Sequence, residues 1–129
     1  MERMTIHEQL AKSRKRIDRM QPRDALEAQA DGAWILDTRD EADRLRDGVI
    51  PGSLHVPLSV LPWRVDPTAE RTDERINDLN GHLVLMCNHG YSSSIAAAML
   101  KDLGFTRVAD IAGGFESWAA EGLPVEFLA

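Results

Sequence analysis

Cysteine is almost absent from this sequence, which contains only Cys87 among its 129 residues. One thiol cannot form an internal disulfide, and it leaves too few sulfur ligands for a structural zinc cluster. The sequence also lacks an apolar run near the roughly 18 residues of a membrane span, and its N-terminus lacks the apolar core of a signal peptide. We therefore expect a cytoplasmic protein without a metal site or membrane attachment.

Positive charge is scarce as well, because 15 Lys and Arg residues face 21 Asp and Glu residues and give a net charge of −6 at pH 7. Nucleic-acid binding requires a basic surface, so we expect no nucleic-acid partner. With 43% hydrophobic and 28% charged residues, the composition is that of one globular domain that can build its own core. The first twenty residues are an exception in charge, since they contain Lys12, Arg14, Lys15, Arg16 and Arg19.

Residues 5–20 have the pattern of an amphipathic helix. Thr5 is followed three residues later by Glu8, which is a capping-box pattern. Four apolar residues lie roughly on one side of this predicted helix: Ile6, Leu10, Ile17 and Met20. The apolar side either packs against the rest of the chain or docks a protein partner. We divide the chain into an N-terminal helical extension over residues 1–21 and a domain over residues 22–129.

From Pro22 onward, short apolar segments alternate with helical ones. The predicted strands cover residues 34–36, 54–57, 83–87 and 107–111, and the predicted helices cover residues 23–30, 40–46, 58–63, 73–79, 95–103 and 115–121. This alternation predicts an α/β fold with a central, mostly parallel sheet and helices on both faces. Ligands of such sheets bind beyond the carboxyl ends of the strands, where Cys87 and Asp37 are expected.

Cys87 ends an unbroken apolar strand and precedes a small polar loop, which leads into an alanine-rich helix. Unpaired N–H groups and the dipole at a helix N-terminus stabilise an anion, so we expect Cys87 to ionise below the free thiol pKa of about 8.5. A shift of about two pKa units corresponds to roughly 2.7 kcal/mol in favour of the thiolate. The alternative is that Cys87 is a small buried hydrophobic residue without a chemical role.

Three motifs in order give a more specific expectation. The first joins Leu36-Asp37-Thr38-Arg39 to residues 48–57, the second is Cys87-Asn88-His89-Gly90-Tyr91-Ser92-Ser93, and the third is Gly113-Gly114-Phe115-x-x-Trp118-x-x-x-Gly122-x-Pro124. Together they resemble the rhodanese (sulfurtransferase) domain family over residues 23–127. The resemblance implies a single-domain member with a rhodanese-like fold.

The resemblance also implies a mechanism. Cys87 attacks the outer sulfur of a donor such as thiosulfate and becomes a persulfide, and a thiol or cyanide acceptor then takes that sulfur. The substrate-binding loop is Asn88, His89, Gly90, Tyr91, Ser92 and Ser93, and neither metal nor organic cofactor is needed. The alternative is a catalytically weak rhodanese-like module that binds or regulates a partner.

The loop departs from the family pattern at Tyr91 and Ser92, where many active members carry arginine or lysine. We expect replacement positive charge from His89, Arg39 or Arg64. Asp37 and Arg39 are two residues apart, so they either form a structural ion pair or contribute charge to the site. His55 either lines the site or makes a structural hydrogen bond.

A cysteine phosphatase on the same scaffold is a further alternative. Phosphatase chemistry of the Cys-x5-Arg type places an arginine six positions after the cysteine, where it clamps the phosphoryl group. Ser93 occupies that position here. The sequence therefore favours sulfur transfer over phosphoryl transfer.

Overall fold

A computed structural model describes residues 2–129, which form a five-stranded sheet with strand order β1-β5-β4-β2-β3. All neighbouring strands are parallel. The strands are β1 (Asp18–Met20), β2 (Trp34–Asp37), β3 (Leu54–His55), β4 (His82–Met86) and β5 (Arg107–Ile111). The helices are α1 (Ile6–Arg14), α2 (Pro22–Ala30), α3 (Glu41–Asp47), α4 (Leu61–Val65), α5 (Ser92–Asp102) and α6 (Gly114–Ala120). The predicted α/β fold with a parallel sheet is confirmed.

Strand β4 lies in the middle of the sheet and is buried on both faces. Leu83 and Leu85 belong to a core that also contains side chains of α4 and α5, whereas Val84 and Met86 belong to a core shared with α2 and α6. Successive side chains of a strand point to opposite faces, so one continuous apolar run supplies both cores. The helices therefore cover both faces of the sheet, as the alternation of segments predicts.

The N-terminal segment differs from the prediction. The capping box of Thr5 and Glu8 is confirmed, but the helix ends at Arg14 and residues 18–20 form an edge strand paired with β5. Ile17 packs against the α4–α5 core and Met20 against the α2–α6 core. A separation of three residues, as between Ile17 and Met20, places two side chains on one side of a helix but on opposite faces of an extended chain, and the second arrangement is observed. The predicted helix over residues 5–20 is thus wrong beyond Arg14.

Residues 18–20 belong to the sheet because they pair with β5. The division of the chain into an N-terminal extension over residues 1–21 and a domain over residues 22–129 remains a prediction.

None of the helices within residues 2–129 has the length and apolar content needed to cross a membrane.

The predicted helix over residues 73–79 is also wrong, because this stretch forms turns. The Asp73 side chain accepts a hydrogen bond from the Arg75 N–H at 2.9 Å, and the Asp78 side chain accepts one from the Asn80 N–H at 2.9 Å. Such local contacts between a side chain and the backbone compete with helix formation. The remaining predicted helices are present with bounds shifted by a few residues.

The turn between β5 and α6 packs against the backbone of Cys87. Phe115 N–H donates to the Cys87 carbonyl at 2.8 Å, and Glu116 N–H donates to the Asn88 carbonyl at 3.1 Å. Gly114 has a φ of +61°, and a Cβ there would overlap the Cys87 carbonyl oxygen and lie 2.7 Å from the Asn88 carbonyl carbon. Glycine at position 114 is what lets the α6 N-terminus approach the start of the cysteine loop.

We expect Gly114→Ala to lower the free energy of unfolding by about 2–5 kcal/mol, because it adds overlap with fixed backbone atoms to the cost of a left-handed conformation. Gly122→Ala is the matched control, since Gly122 has a φ of +74° but no atom within 4 Å of an added Cβ. The control should lose only about 1–2 kcal/mol. Urea unfolding of both variants measures the difference, and equal losses would show that the close approach at Gly114 carries no cost.

Candidate active site

Cys87 follows β4 at the carboxyl end of the sheet and retains 7% of its accessible surface. Gly90 N–H donates to Cys87 Sγ at 3.2 Å, and the thiol donates to Ser93 Oγ at 3.3 Å. Gly90 has a φ of +82°, and a Cβ there would lie 2.8 Å from the Gly113 nitrogen. The loop therefore curls tightly around the sulfur, which lies within hydrogen-bond distance of a backbone amide and of a hydroxyl oxygen.

Two opposing effects act on the pKa of the Cys87 thiol. Burial is the largest single effect and raises the pKa, because it disfavours the charged thiolate. Hydrogen bonds with the side chains of Ser93 and Ser92 and with the backbone N–H groups of Ser93 and Gly90 lower it. Together these bonds outweigh burial, so the pKa of Cys87 lies below its usual value. The loop favours the thiolate, which is the nucleophilic form.

Asp110 connects to the thiol through Ser93. Its carboxylate is completely buried and accepts hydrogen bonds from Ser93 Oγ at 2.8 Å and Ser94 Oγ at 2.7 Å. A continuous chain of contacts therefore runs from Cys87 through Ser93 to Asp110. The sequence analysis missed this residue, although a carboxylate within the otherwise apolar stretch 108–111 was a usable signal.

Two arginines from the N-terminal segment reach the back of the loop. Arg19 Nε donates to Asp110 at 3.0 Å, and its Nη2 donates to the Gly90 carbonyl at 2.9 Å. Arg14 Nη2 donates to the same Gly90 carbonyl at 2.8 Å, and its Nε donates to Ser94 Oγ at 3.1 Å. The Arg14 guanidinium also lies 5.7 Å from the centre of the Tyr91 ring. The basic character of this segment was visible in the sequence, but its contact with the cysteine loop was not.

Asp37 and Arg39 form a fully buried ion pair. Arg39 donates to the carboxylate through Nε at 3.0 Å and Nη2 at 2.9 Å, and Nη2 also donates to the Gly48 carbonyl at 2.8 Å. The guanidinium lies 4.1 Å from the centre of the Phe115 ring. Within residues 2–129, Arg39 Nη1 is the single buried side-chain nitrogen or oxygen without a hydrogen-bond partner. These contacts are those of a structural ion pair. A contribution of Arg39 to the charge of the site remains a prediction.

The other predicted site residues lie around this pair or at the surface. His55 Nε2 is 2.8 Å from the Arg39 carbonyl oxygen, and its Nδ1 is 3.2 Å from Arg44. His89 is exposed, and its Nδ1 lies 2.6 Å from a Glu116 carboxylate oxygen. Arg64 lies in α4, where its carbonyl accepts from the Asp73 N–H at 2.7 Å. The roles of His55, His89 and Arg64 in the site stay predictions.

Residues of the cysteine loop line two hollows of different character. An acidic hollow of about 570 Å³ is bounded by Asn88 and His89 of the loop, by the carboxylates of Asp43, Asp47 and Glu116, and by Arg46, which pairs with both aspartates. Asn88 Nδ2 donates to Asp43 at 2.9 Å. An apolar groove on the other side is lined by Ile6, His7, Leu10, Tyr91, Ser92 and Ile95. Within residues 2–129 no three His, Cys, Asp or Glu side chains group as metal ligands.

Comparison of the sequence with known families places residues 21–121 in the rhodanese-like domain. A thiosulfate sulfurtransferase GlpE of Ectopseudomonas mendocina is 35% identical over 102 residues, which are 79% of this chain and 84% of that protein. A sulfurtransferase of Allochromatium vinosum is 30% identical over 98 residues, which are 76% of this chain and 82% of that protein.

Solved structures agree with the sequence comparison. A Rhodopseudomonas palustris protein, described as a possible tyrosine phosphatase, superposes with a TM-score of 0.89 at 29% identity and covers 98% of this chain and 97% of its own. A thiosulfate sulfurtransferase of Pseudomonas aeruginosa gives a TM-score of 0.69 at 26% identity over 87% of this chain and 20% of its own. The family match, the relatives and the three motifs lead to one conclusion: this chain belongs to the rhodanese-like domain family.

Proposed function

We propose that this chain is a sulfurtransferase that carries sulfane sulfur as a persulfide on Cys87. The observation that carries the proposal is the hydrogen bonding of Cys87 Sγ by Gly90 and Ser93 at the carboxyl end of β4. The lowered pKa of this thiol supports a nucleophilic role at neutral pH. The relatives named sulfurtransferases support the same class of reaction.

The proposed reaction has two displacement steps. In the first, the Cys87 thiolate attacks the outer sulfur of a donor such as thiosulfate, a new S–S bond forms, and the donor's own sulfur–sulfur bond breaks. The leaving group, sulfite in the case of thiosulfate, departs with the electron pair. In the second, a thiolate or cyanide attacks the terminal sulfur of the persulfide and releases Cys87 as the thiolate, which gives ping-pong kinetics.

The loop stabilises the anion that is present in every step. Gly90 N–H and the Ser93 hydroxyl contact Cys87 Sγ, and the loop runs directly into the N-terminus of α5. Donors that are fixed before the reaction stabilise charge without reorganisation, and the positive end of the helix dipole acts in the same direction. We propose that the amides of residues 88–93 hold the terminal persulfide sulfur in the same way.

Phosphoryl transfer is the competing activity, because a structural neighbour is described as a possible tyrosine phosphatase. Ser93 stands where a Cys-x5-Arg phosphatase needs its arginine, and its hydroxyl contacts Cys87 and Asp110. Arg14 and Arg19 bind the outward-directed carbonyl of Gly90 rather than a position facing the sulfur. Within residues 2–129, therefore, neither Arg14 nor Arg19 is placed to clamp a phosphoryl group in line with Cys87.

Incubation with thiosulfate or with glutathione persulfide should add one sulfur atom to the intact protein, as read by mass spectrometry. The addition requires Cys87, so Cys87→Ser should gain nothing, and cyanide should remove the sulfur from the wild-type protein. The same preparation should leave a generic phosphate ester unhydrolysed. Absence of the added sulfur with every donor would favour a binding or regulatory module, and phosphate release that depends on Cys87 would favour a phosphatase.

The pH dependence of alkylation should show the lowered pKa of Cys87. A lowered pKa means that the thiolate is present at lower pH, so the midpoint of iodoacetamide alkylation should fall below about 8.5. Ser93→Ala removes a hydrogen bond that lowers this pKa, and we expect the midpoint to rise by about one unit, with roughly tenfold slower alkylation near pH 7.

Ser53→Ala is the matched control, because the Ser53 hydroxyl donates to the Ile50 carbonyl at 2.6 Å and does not touch the loop. The control should keep the wild-type midpoint. A wild-type midpoint at or above that of free cysteine would contradict the nucleophilic role of Cys87.

A further inference from the structure

The cysteine loop is held by residues that lie outside the part of the chain matched to the family. The family match covers residues 21–121, whereas Arg14 and Arg19 precede it. Both arginines donate to one acceptor, the Gly90 carbonyl, at 2.8 and 2.9 Å. Gly90 also donates its N–H to Cys87 Sγ at 3.2 Å, so both guanidinium groups bind the residue that contacts the sulfur. The arrangement indicates a function beyond attachment of the N-terminal segment.

We propose that Arg14, together with Arg19, positions the Cys87 loop and supplies the positive charge that balances a single anionic sulfur on Cys87. This inference rests on the proposed sulfur transfer, since it assigns the source of the charge that the loop itself lacks at Tyr91 and Ser92. It names Arg14 and Arg19 as positioning residues, because neither contacts the sulfur.

The two arginines differ in their partners. Arg19 is paired with Asp110 at 3.0 Å, whereas Arg14 lies within salt-bridge distance of no carboxylate in the described part of the chain. The arginines on the other side of the loop have carboxylate partners: Arg39 pairs with Asp37, and Arg46 pairs with Asp43 and Asp47. A thiolate or persulfide on Cys87 therefore faces, behind Gly90, a guanidinium that has no carboxylate partner of its own within residues 2–129.

The same contacts fix the geometry of the loop. Gly90 uses its carbonyl to accept from both arginines and its N–H to donate to Cys87 Sγ. The carbonyl and the N–H of Gly90 belong to adjacent peptide planes that share its Cα, so a carbonyl held in place restrains the direction of that N–H. A second route runs from Arg14 through Ser94 and Asp110 to Ser93, which also contacts the sulfur.

Arg14→Gln is the decisive variant, because it removes the charge and keeps an amide that can donate a hydrogen bond. We expect the pH midpoint of Cys87 alkylation to rise by about one unit, and kcat/KM for sulfur transfer from glutathione persulfide to fall about tenfold. Arg14→Lys keeps the charge and should retain a midpoint within a few tenths of a unit of wild type. A role in geometry alone would predict similar shifts for the two variants.

Arg16→Gln is the matched control, since it makes the same change two residues away. Arg16 pairs with Asp102 of α5 and does not contact the cysteine loop. It should leave both the midpoint and kcat/KM unchanged. An equal shift in Arg16→Gln would overturn the proposal, because the N-terminal segment would then act through general support of α5. A wild-type midpoint in Arg14→Gln would overturn it as well.

Circular dichroism and urea unfolding establish that each variant is folded. If Arg14→Gln is not folded, Arg14→Met serves in its place, because it removes the same charge and keeps an apolar stem of similar length; it must then show the same shift. Alkylation does not depend on sulfur transfer. A protein that forms no persulfide but shows the shift in Arg14→Gln would therefore refute the proposed function and support the positioning role.

Discussion

The Asp110 carboxylate is completely buried at the end of β5, and a buried charge is stable only when it is paired and hydrogen-bonded. Its partners come from separate parts of the chain: Arg19 of β1, and Ser93 and Ser94 at the start of α5. Because Asp110 needs hydrogen bonds from all of these partners, it holds the edge strand β1 and the cysteine loop together at the carboxyl end of β5. Without this group, the thiol loop would have far fewer fixed neighbours.

The inner and outer sides of the cysteine loop make different contacts. The inner side presents the Gly90 N–H and the Ser93 hydroxyl to the sulfur, while the Gly90 carbonyl on the outer side is held by guanidinium groups. On the opposite flank, Gly114 allows the amides of α6 to bind the carbonyls at the start of the loop. The loop is thus fixed from the N-terminal segment and from the β5–α6 turn, so its geometry depends on contacts between distant parts of the chain.

Local patterns in the sequence were sufficient to predict a parallel sheet and the position of Cys87 at a strand end, and they gave the Asp37–Arg39 ion pair as one of two alternatives. Each depends on neighbours within a few residues: an apolar run, a polar loop with glycine, or two charges two residues apart. The strand at residues 18–20 was not predicted, because it forms only by pairing with β5. Asp110 and Arg14 were missed as site residues for the same reason, since partners 16 to 80 residues away in the sequence define their roles.

The location of the positive charge affects which anions the site can hold. A guanidinium within the loop would lie about 4 Å from a bound anion, where the attraction is roughly 4 kcal/mol at an effective dielectric constant near 20. A guanidinium behind the loop is separated from the sulfur by the Gly90 residue, and its attraction for an anion there is weaker because the attraction falls with distance. Such an attraction favours a thiolate or a persulfide, each of which carries a single negative charge. The carboxylates that line the acidic hollow beside Asn88 oppose a second negative charge.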